Sequence, residues 1–117
     1  MNPLCLLLSD DLIDASRVMG DGRAAGLTVQ HCRDVARLLE GMPRRPVVVV
    51  IDLHFPGLEL ETLVPTIRGS GAKLIAFGAH VDAARLKTAR QAGCDEVLPR
   101  SAFFADLESK LGAWSTV

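Results

Sequence analysis

Three aspartates stand where apolar runs end. Asp10 and Asp11 close the run Leu4-Cys5-Leu6-Leu7-Leu8-Ser9, and Asp52 closes Val47-Val48-Val49-Val50-Ile51. Runs of this kind, continuous in Val, Ile and Leu and not alternating with polar residues, read as strands buried on both faces, which in a water-soluble chain means a parallel sheet covered by helices. Parallel strands end on one edge, so the carboxylates share that edge. If the two strands are also neighbours, three carboxylates converge, and their repulsion raises at least one pKa unless a cation neutralises them. Such a cluster asks for a divalent metal or for chemistry on a carboxylate.

The elements that must position these residues follow from patterning. Strand-like runs fall at about residues 4–9, 27–31, 47–52, 73–78 and 95–98, with segments between them able to hold helices. Five strands alternating with five helices form a doubly wound α/β plan. Residues 34–41 read as a helix with Val35, Leu38 and Leu39 on one face and Gly41 as its stop. Residues 81–92 place Leu86, Ala89 and Ala92 inward and Arg85, Lys87 and Arg90 outward, with Gly93 ending the helix. A last helix over 102–111 carries Phe103, Phe104, Leu107 and Leu111, leaving 112–117 as a short tail containing Trp114. The first helix contains Gly20 and Gly22, each costing about 1 kcal/mol relative to alanine. Close packing of Ala15, Met19, Gly22 and Gly26 against the sheet offsets that cost. Pro65 either begins a second helical stretch after 59–64 or kinks one, and Pro99 suits an edge strand because it has no amide to donate.

The bulk composition narrows the function classes. A chain of 117 residues that is 49% hydrophobic and 23% charged makes one globular domain over 1–117, with no room for an effector domain. Its net charge of −1 does not favour nucleic acid or an anionic membrane as partner. Cys5, Cys32 and Cys94 are odd in number and widely spaced, as expected of core thiols in a reducing compartment, and no signal peptide or spanning segment is evident. A cytoplasmic location is expected.

The acidic pair in Leu8-Ser9-Asp10-Asp11, the strand-end aspartate and later proline of Asp52-Leu53-His54-Phe55-Pro56, and Gln91-Ala92-Gly93-Cys94-Asp95 before the fifth strand together resemble the receiver domain of bacterial two-component response regulators, over essentially the whole length. The resemblance implies a flavodoxin-like three-layer fold with sheet order 2-1-3-4-5, which brings the first and third strands together at the topological switch point. It implies that Asp52 is the phosphoryl acceptor, that Mg²⁺ is held by Asp10, Asp11, Asp52 and the backbone carbonyl of His54, and that Arg100 stands for the lysine that pairs with the phosphoryl group. A carboxylate attacks phosphorus only where a cation offsets the charge gathering on the transferred oxygens. The implied partners are a histidine kinase or phosphotransfer protein and a downstream protein target, met through the fourth-helix, fifth-strand and fifth-helix face, where homodimers also form.

Three switch positions depart from the family pattern. Gly78 stands where a serine or threonine would sense the phosphoryl group, leaving the pocket open; Val97 replaces an aromatic residue; and Ser101 replaces the proline after the cation. Arginine offers a planar fork where lysine offers a point charge. Two readings follow, neither enzymatic: an atypical stand-alone receiver that takes a phosphoryl group on Asp52, or a pseudo-receiver whose protein contacts never depend on phosphate. A distant third is a cobalamin carrier, since Asp52, His54 and Gly57 also spell D-x-H-x-x-G, but the motif follows the third strand-like run where it should follow the first. Gly20 to Gly26 reads better as a glycine-rich helix and its stop than as a dinucleotide loop. His31, His54 and His80 are too dispersed for zinc and read as ordinary loop or surface histidines. For the acidic pair the plain alternative is capping of the helix that follows.

Overall fold

The computed structural model describes residues 2–116. Its strands are β1 (Leu4–Leu8), β2 (Thr28–Cys32), β3 (Val48–Asp52), β4 (Lys73–Gly78) and β5 (Glu96–Pro99). Its helices are α1 (Leu12–Ala24), α2 (Val35–Gly41), α3 (Leu60–Arg68), α4 (Ala83–Ala92), α5 (Arg100–Phe104) and α6 (Leu107–Trp114), with a 3₁₀ turn at Met42–Arg44. The sheet is parallel throughout and ordered β2-β1-β3-β4-β5. The doubly wound plan and its strand order are therefore as expected.

The central strands are apolar on both faces because both faces are covered. Leu6, Leu8, Val49, Ile51, Leu74 and Ala76 pack with α2, α3 and α4 residues such as Leu38, Leu63, Ile67 and Leu86. Cys5, Leu7, Val48, Val50, Ile75 and Phe77 pack on the other side with Ala15, Val18, Phe103, Leu107 and Leu111 from α1, α5 and α6. The alternation of neighbouring residues between two cores follows from the two-residue period of a strand. At the edges burial falls: β2 is mostly half-exposed, and Pro99 lies on edge strand β5, where no further strand needs its missing amide.

Several helices differ from the pattern reading. In α1 the inward face is Asp14, Ala15, Val18 and Gly22, whereas Met19 is only half-buried and Gly26 lies beyond the helix at φ +89. A Cβ on Gly22 would come within 2.3 Å of Val29 Cγ2, so the glycine is the means by which α1 lies close to β2. Of the expected inward face of α2 only Leu38 is fully buried, and Leu39 is 40% exposed. Pro65 sits inside a single continuous α3 on its exposed side, where water can reach the carbonyl that the proline leaves without a donor. Helix α4 starts at Ala83, capped by Asp82, and Val81 is outside it. The final helix is two: Asp106 adopts a left-handed backbone at φ +52 between α5 and α6. The break lets Phe103, Phe104, Leu107 and Leu111 all reach the core, and α6 extends through the expected tail to Trp114, which is buried and donates from Nε1 to Glu96 Oε2 at 2.6 Å.

Candidate functional site

The carboxyl ends of β1, β3, β4 and β5 surround a small cleft of about 170 Å³ lined by Asp11, Asp14, Asp52, His54, Phe77, Gly78, Ala79 and Arg100. Asp52 is the last residue of β3 and is 3% exposed. Its Oδ1 accepts the backbone N–H of His54 at 2.9 Å, a turn closed by the aspartate's own side chain, and its Oδ2 accepts the Ser9 hydroxyl at 2.9 Å. Burial pushes the Asp52 pKa above the ordinary value; the His54 amide and the Ser9 hydroxyl pull the other way, and the charge of Asp14 adds to the rise.

Ser9 holds its place because the strand register demands it. Leu8 pairs with Ile51, so the next residue of the chain stands against Asp52. Ser9 is completely buried and serves as a hub: its hydroxyl also accepts the Asp11 amide at 3.1 Å, its own amide donates to Cys32 O at 3.2 Å, and its carbonyl accepts from His31 Nε2 at 2.7 Å. Nothing in the type of Ser9 or its immediate neighbours marks it as a site residue. The available signal was positional, namely that the residue directly opposed to a strand-end aspartate is the one ending the neighbouring strand.

The acidic pair divides. Asp11 lines the cleft but also caps α1, its Oδ1 accepting the Asp14 amide at 2.9 Å. Asp10 is exposed and is not among the lining residues. Asp14, which the sequence does not single out, is the second buried acid of the cleft at 1% exposure. Both of its oxygens accept from the terminal nitrogens of Arg100, the fork-to-fork geometry that distinguishes arginine from lysine. That contact raises the already high pKa of Arg100. Arg100 thus stands at the expected rim, but its strongest contact is Asp14 and not Asp52.

These placements bear on the expected Mg²⁺. Among the described residues no group of three or more His, Cys, Asp and Glu side chains is positioned to hold a metal ion. The physical reasons are on view: Ser9 takes the place facing Asp52, Asp11 caps a helix, Asp14 is engaged by an arginine, and Asp10 lies outside the cleft. Of the expected ligand set of Asp10, Asp11, Asp52 and the His54 carbonyl, Asp11, Asp52 and His54 line the cleft and Asp10 does not, and the donors present suit hydrogen bonding and arginine pairing better than a hard cation that wants several oxygens.

The altered switch positions are also placed. Gly78 lines the cleft, but the direction its side chain would take is filled: a Cβ there would meet Leu53 Cβ and Cδ1 at 3.3 Å and Leu86 Cδ2 at 3.5 Å. Arg85 adds a tie across the same gap, its Nη1 donating to Leu53 O at 3.0 Å. Val97 is 8% exposed within the core beside α3 and α4. Ser101 is exposed on α5 and His80 is exposed beyond β4.

No protein-family model and no curated protein matches the sequence. Among solved structures, a response regulator from Thermotoga maritima superposes with a TM-score of 0.81 at 16% identity, covering 100% of both chains. A Francisella response-regulator receiver domain gives 0.77 at 20% identity over 97% of each chain. A Burkholderia pseudomallei response regulator, whose structure contains a phosphorylated aspartic acid, a calcium ion and citrate, gives 0.78 at 18% identity over 97% of this chain and 66% of that one. The fold is that of a receiver domain.

Proposed function

We propose that this chain is a receiver-type signalling module that acts by protein contact and does not depend on a metal-assisted phosphoryl transfer to Asp52. The observation that carries the reading is the pairing of Asp52 with Ser9 in place of a third carboxylate. A neutral hydroxyl satisfies one oxygen of Asp52, and the backbone satisfies the other, so the charge that a divalent ion would gather is not assembled. The receiver fold of its structural neighbours supports a place in response-regulator signalling, with a protein target as the partner. No helix among the described residues is long and apolar enough to cross a membrane.

The direct test is incubation of the protein with Mg²⁺ and a small phosphodonor, followed by intact mass measurement beside an ordinary receiver. The expected result is an unmodified chain while the ordinary receiver is labelled. Retention of a partner by Asp52→Asn in a pull-down supports the same reading.

A second reading keeps Asp52 as phosphoacceptor, and one observation favours it: Asp52, Asp11 and Arg100 all line a single cleft. In that case Asp11, Asp52 and the His54 carbonyl would hold Mg²⁺, and a histidine kinase or phosphotransfer protein would be the donor. A phosphoryl mass increment that disappears in Asp52→Asn selects this reading over the first.

A further inference from the structure

We infer that Asp14 and Arg100 form a built-in latch that holds the start of α5 against α1 in one state, whatever happens at Asp52. Asp14 lies in the first turn of α1, buried where the helix meets the sheet. Arg100 opens α5 directly after edge strand β5. Their two-point contact ties elements 86 residues apart in sequence.

The latch is braced on its other side by aromatic rings. The Arg100 guanidinium carbon lies 5.1 Å from the centroid of Phe104, and that of Arg17 lies 4.2 Å from the same ring. Phe104 meets Phe77 edge to face at 5.4 Å and Phe103 at 4.9 Å, and Phe103 stacks on Phe77 at 4.4 Å. Phe77 is the β4 partner of Asp52 in the sheet, so the braced cluster begins beside the cleft and continues to Trp114, whose ring is 6.1 Å from Phe103.

Opening the latch would strand a buried carboxylate, which disfavours the open form by about a hundredfold or more. A ligand moves a conformational equilibrium only through contacts that differ between its two states. Here the cation that would answer a phosphoryl group is already occupied by an internal acid, so the α5 surface is displayed constantly. This consequence deepens the proposed function and rests on it, whereas the latch itself stands on the Asp14 and Arg100 geometry.

Hydrogen exchange on the full chain, resolved over residues 96–108, tests the latch, with Trp114 fluorescence as a second readout. Asp14→Asn should speed exchange of the α5 amides by about tenfold or more, while Asp52→Asn stays within about twofold of the wild type. Wild-type exchange in Asp14→Asn, or an equal opening in Asp52→Asn, overturns the inference. If Asp14→Asn fails to fold, Arg100→Lys replaces the fork by a point contact: faster α5 exchange and a shifted Trp114 emission support the latch, and unchanged values overturn it. The two proposals fail separately. Labelling of Asp52 by a phosphodonor defeats the proposed function, but it defeats the latch only if the labelled protein also changes its α5 exchange.

Discussion

At the carboxyl end of the strands Asp52 is buried against a serine, and its pKa is pushed up; at the amino end Asp95 lies at the surface, and its pKa is pulled down. Asp95 Oδ2 accepts the Leu74 amide at 2.7 Å, and its Oδ1 accepts from Arg68 Nη1 at 2.7 Å, the same nitrogen that donates to Gly93 O at 2.8 Å. Although partial burial pushes Asp95 up, the amide and the guanidinium outweigh it. The Asp95 group is a brace that welcomes the charge and ties α3, β4 and the entry to β5 together. The Asp52 group holds a charge at some cost to stability and lacks a directly bonded cation. A fold keeps an acid under such conditions where the rim has, or once had, a use for it, whereas the brace is accounted for by stability alone.

The sharpest way to break this contrast is Ser9→Asp, which puts a second carboxylate in the fully buried position facing Asp52. In the absence of metal the variant is expected to lose about 3 kcal/mol of stability, because two like charges share a site with little water. Millimolar Mg²⁺ should restore much of that loss by binding the folded form alone, and leave the wild type unmoved. Urea denaturation with and without Mg²⁺ measures both. A wild-type midpoint that rises with Mg²⁺ as far as the variant's does would show that Asp11 and Asp52 suffice for the ion.

A smaller effect is expected from the opposite end. Asp95→Ala removes the acceptor of the Leu74 amide and the partner of Arg68, at a cost of about 2 kcal/mol, most of it from the charge-assisted bond to the amide because the arginine contact is exposed to solvent. Thermal unfolding should show the loss, and Arg68→Met should show less than half of it. Equal losses would mean that the ion pair, and not the amide, carries the brace.

How far these features could be read in advance depends on whether they are set by pattern or by register. The parallel sheet was legible because β1, β3 and β4 are continuous apolar runs, and their order followed from the resemblance that Asp52 and the 91–95 segment carry. Ser9 was hidden because its importance lies in which residue it faces across β1 and β3. Asp14 was hidden for a different reason: in the first turn of α1 it looks like an ordinary acid at a helix start, and what marks it out is its contact with Arg100, 86 residues away in sequence. Asp106 broke a helix whose apolar spacing runs on without interruption through Phe103, Phe104, Leu107 and Leu111, so periodicity alone carried no sign of the left-handed residue between them. Gly78 was read for the side chain it lacks, when the neighbour that fills the space is Leu53.

The smallest effect has the most informative shape, because the two aspartates give opposite dependences on pH. Asp52 has a folded pKa above its ordinary value of 3.8, so its contribution is fully present below that value and is lost as pH rises through the folded pKa. Asp52→Asn removes a buried charge while its amide group can still accept from His54 and pair with the Ser9 hydroxyl. The variant should therefore gain stability over the wild type as pH rises above 3.8, with a higher denaturation midpoint near neutrality. Asp95 has a folded pKa below 3.8, so its contribution is present above that value and is lost as pH falls through the folded pKa. Asp95→Asn should accordingly trail the wild type near neutrality and close the gap in acid. Denaturation midpoints of the three proteins across pH give two difference curves of opposite sign that both shrink toward acid. If the Asp52→Asn curve instead falls below zero at neutral pH, the buried charge is stabilised by its surroundings, and the cleft holds a cationic partner for it after all.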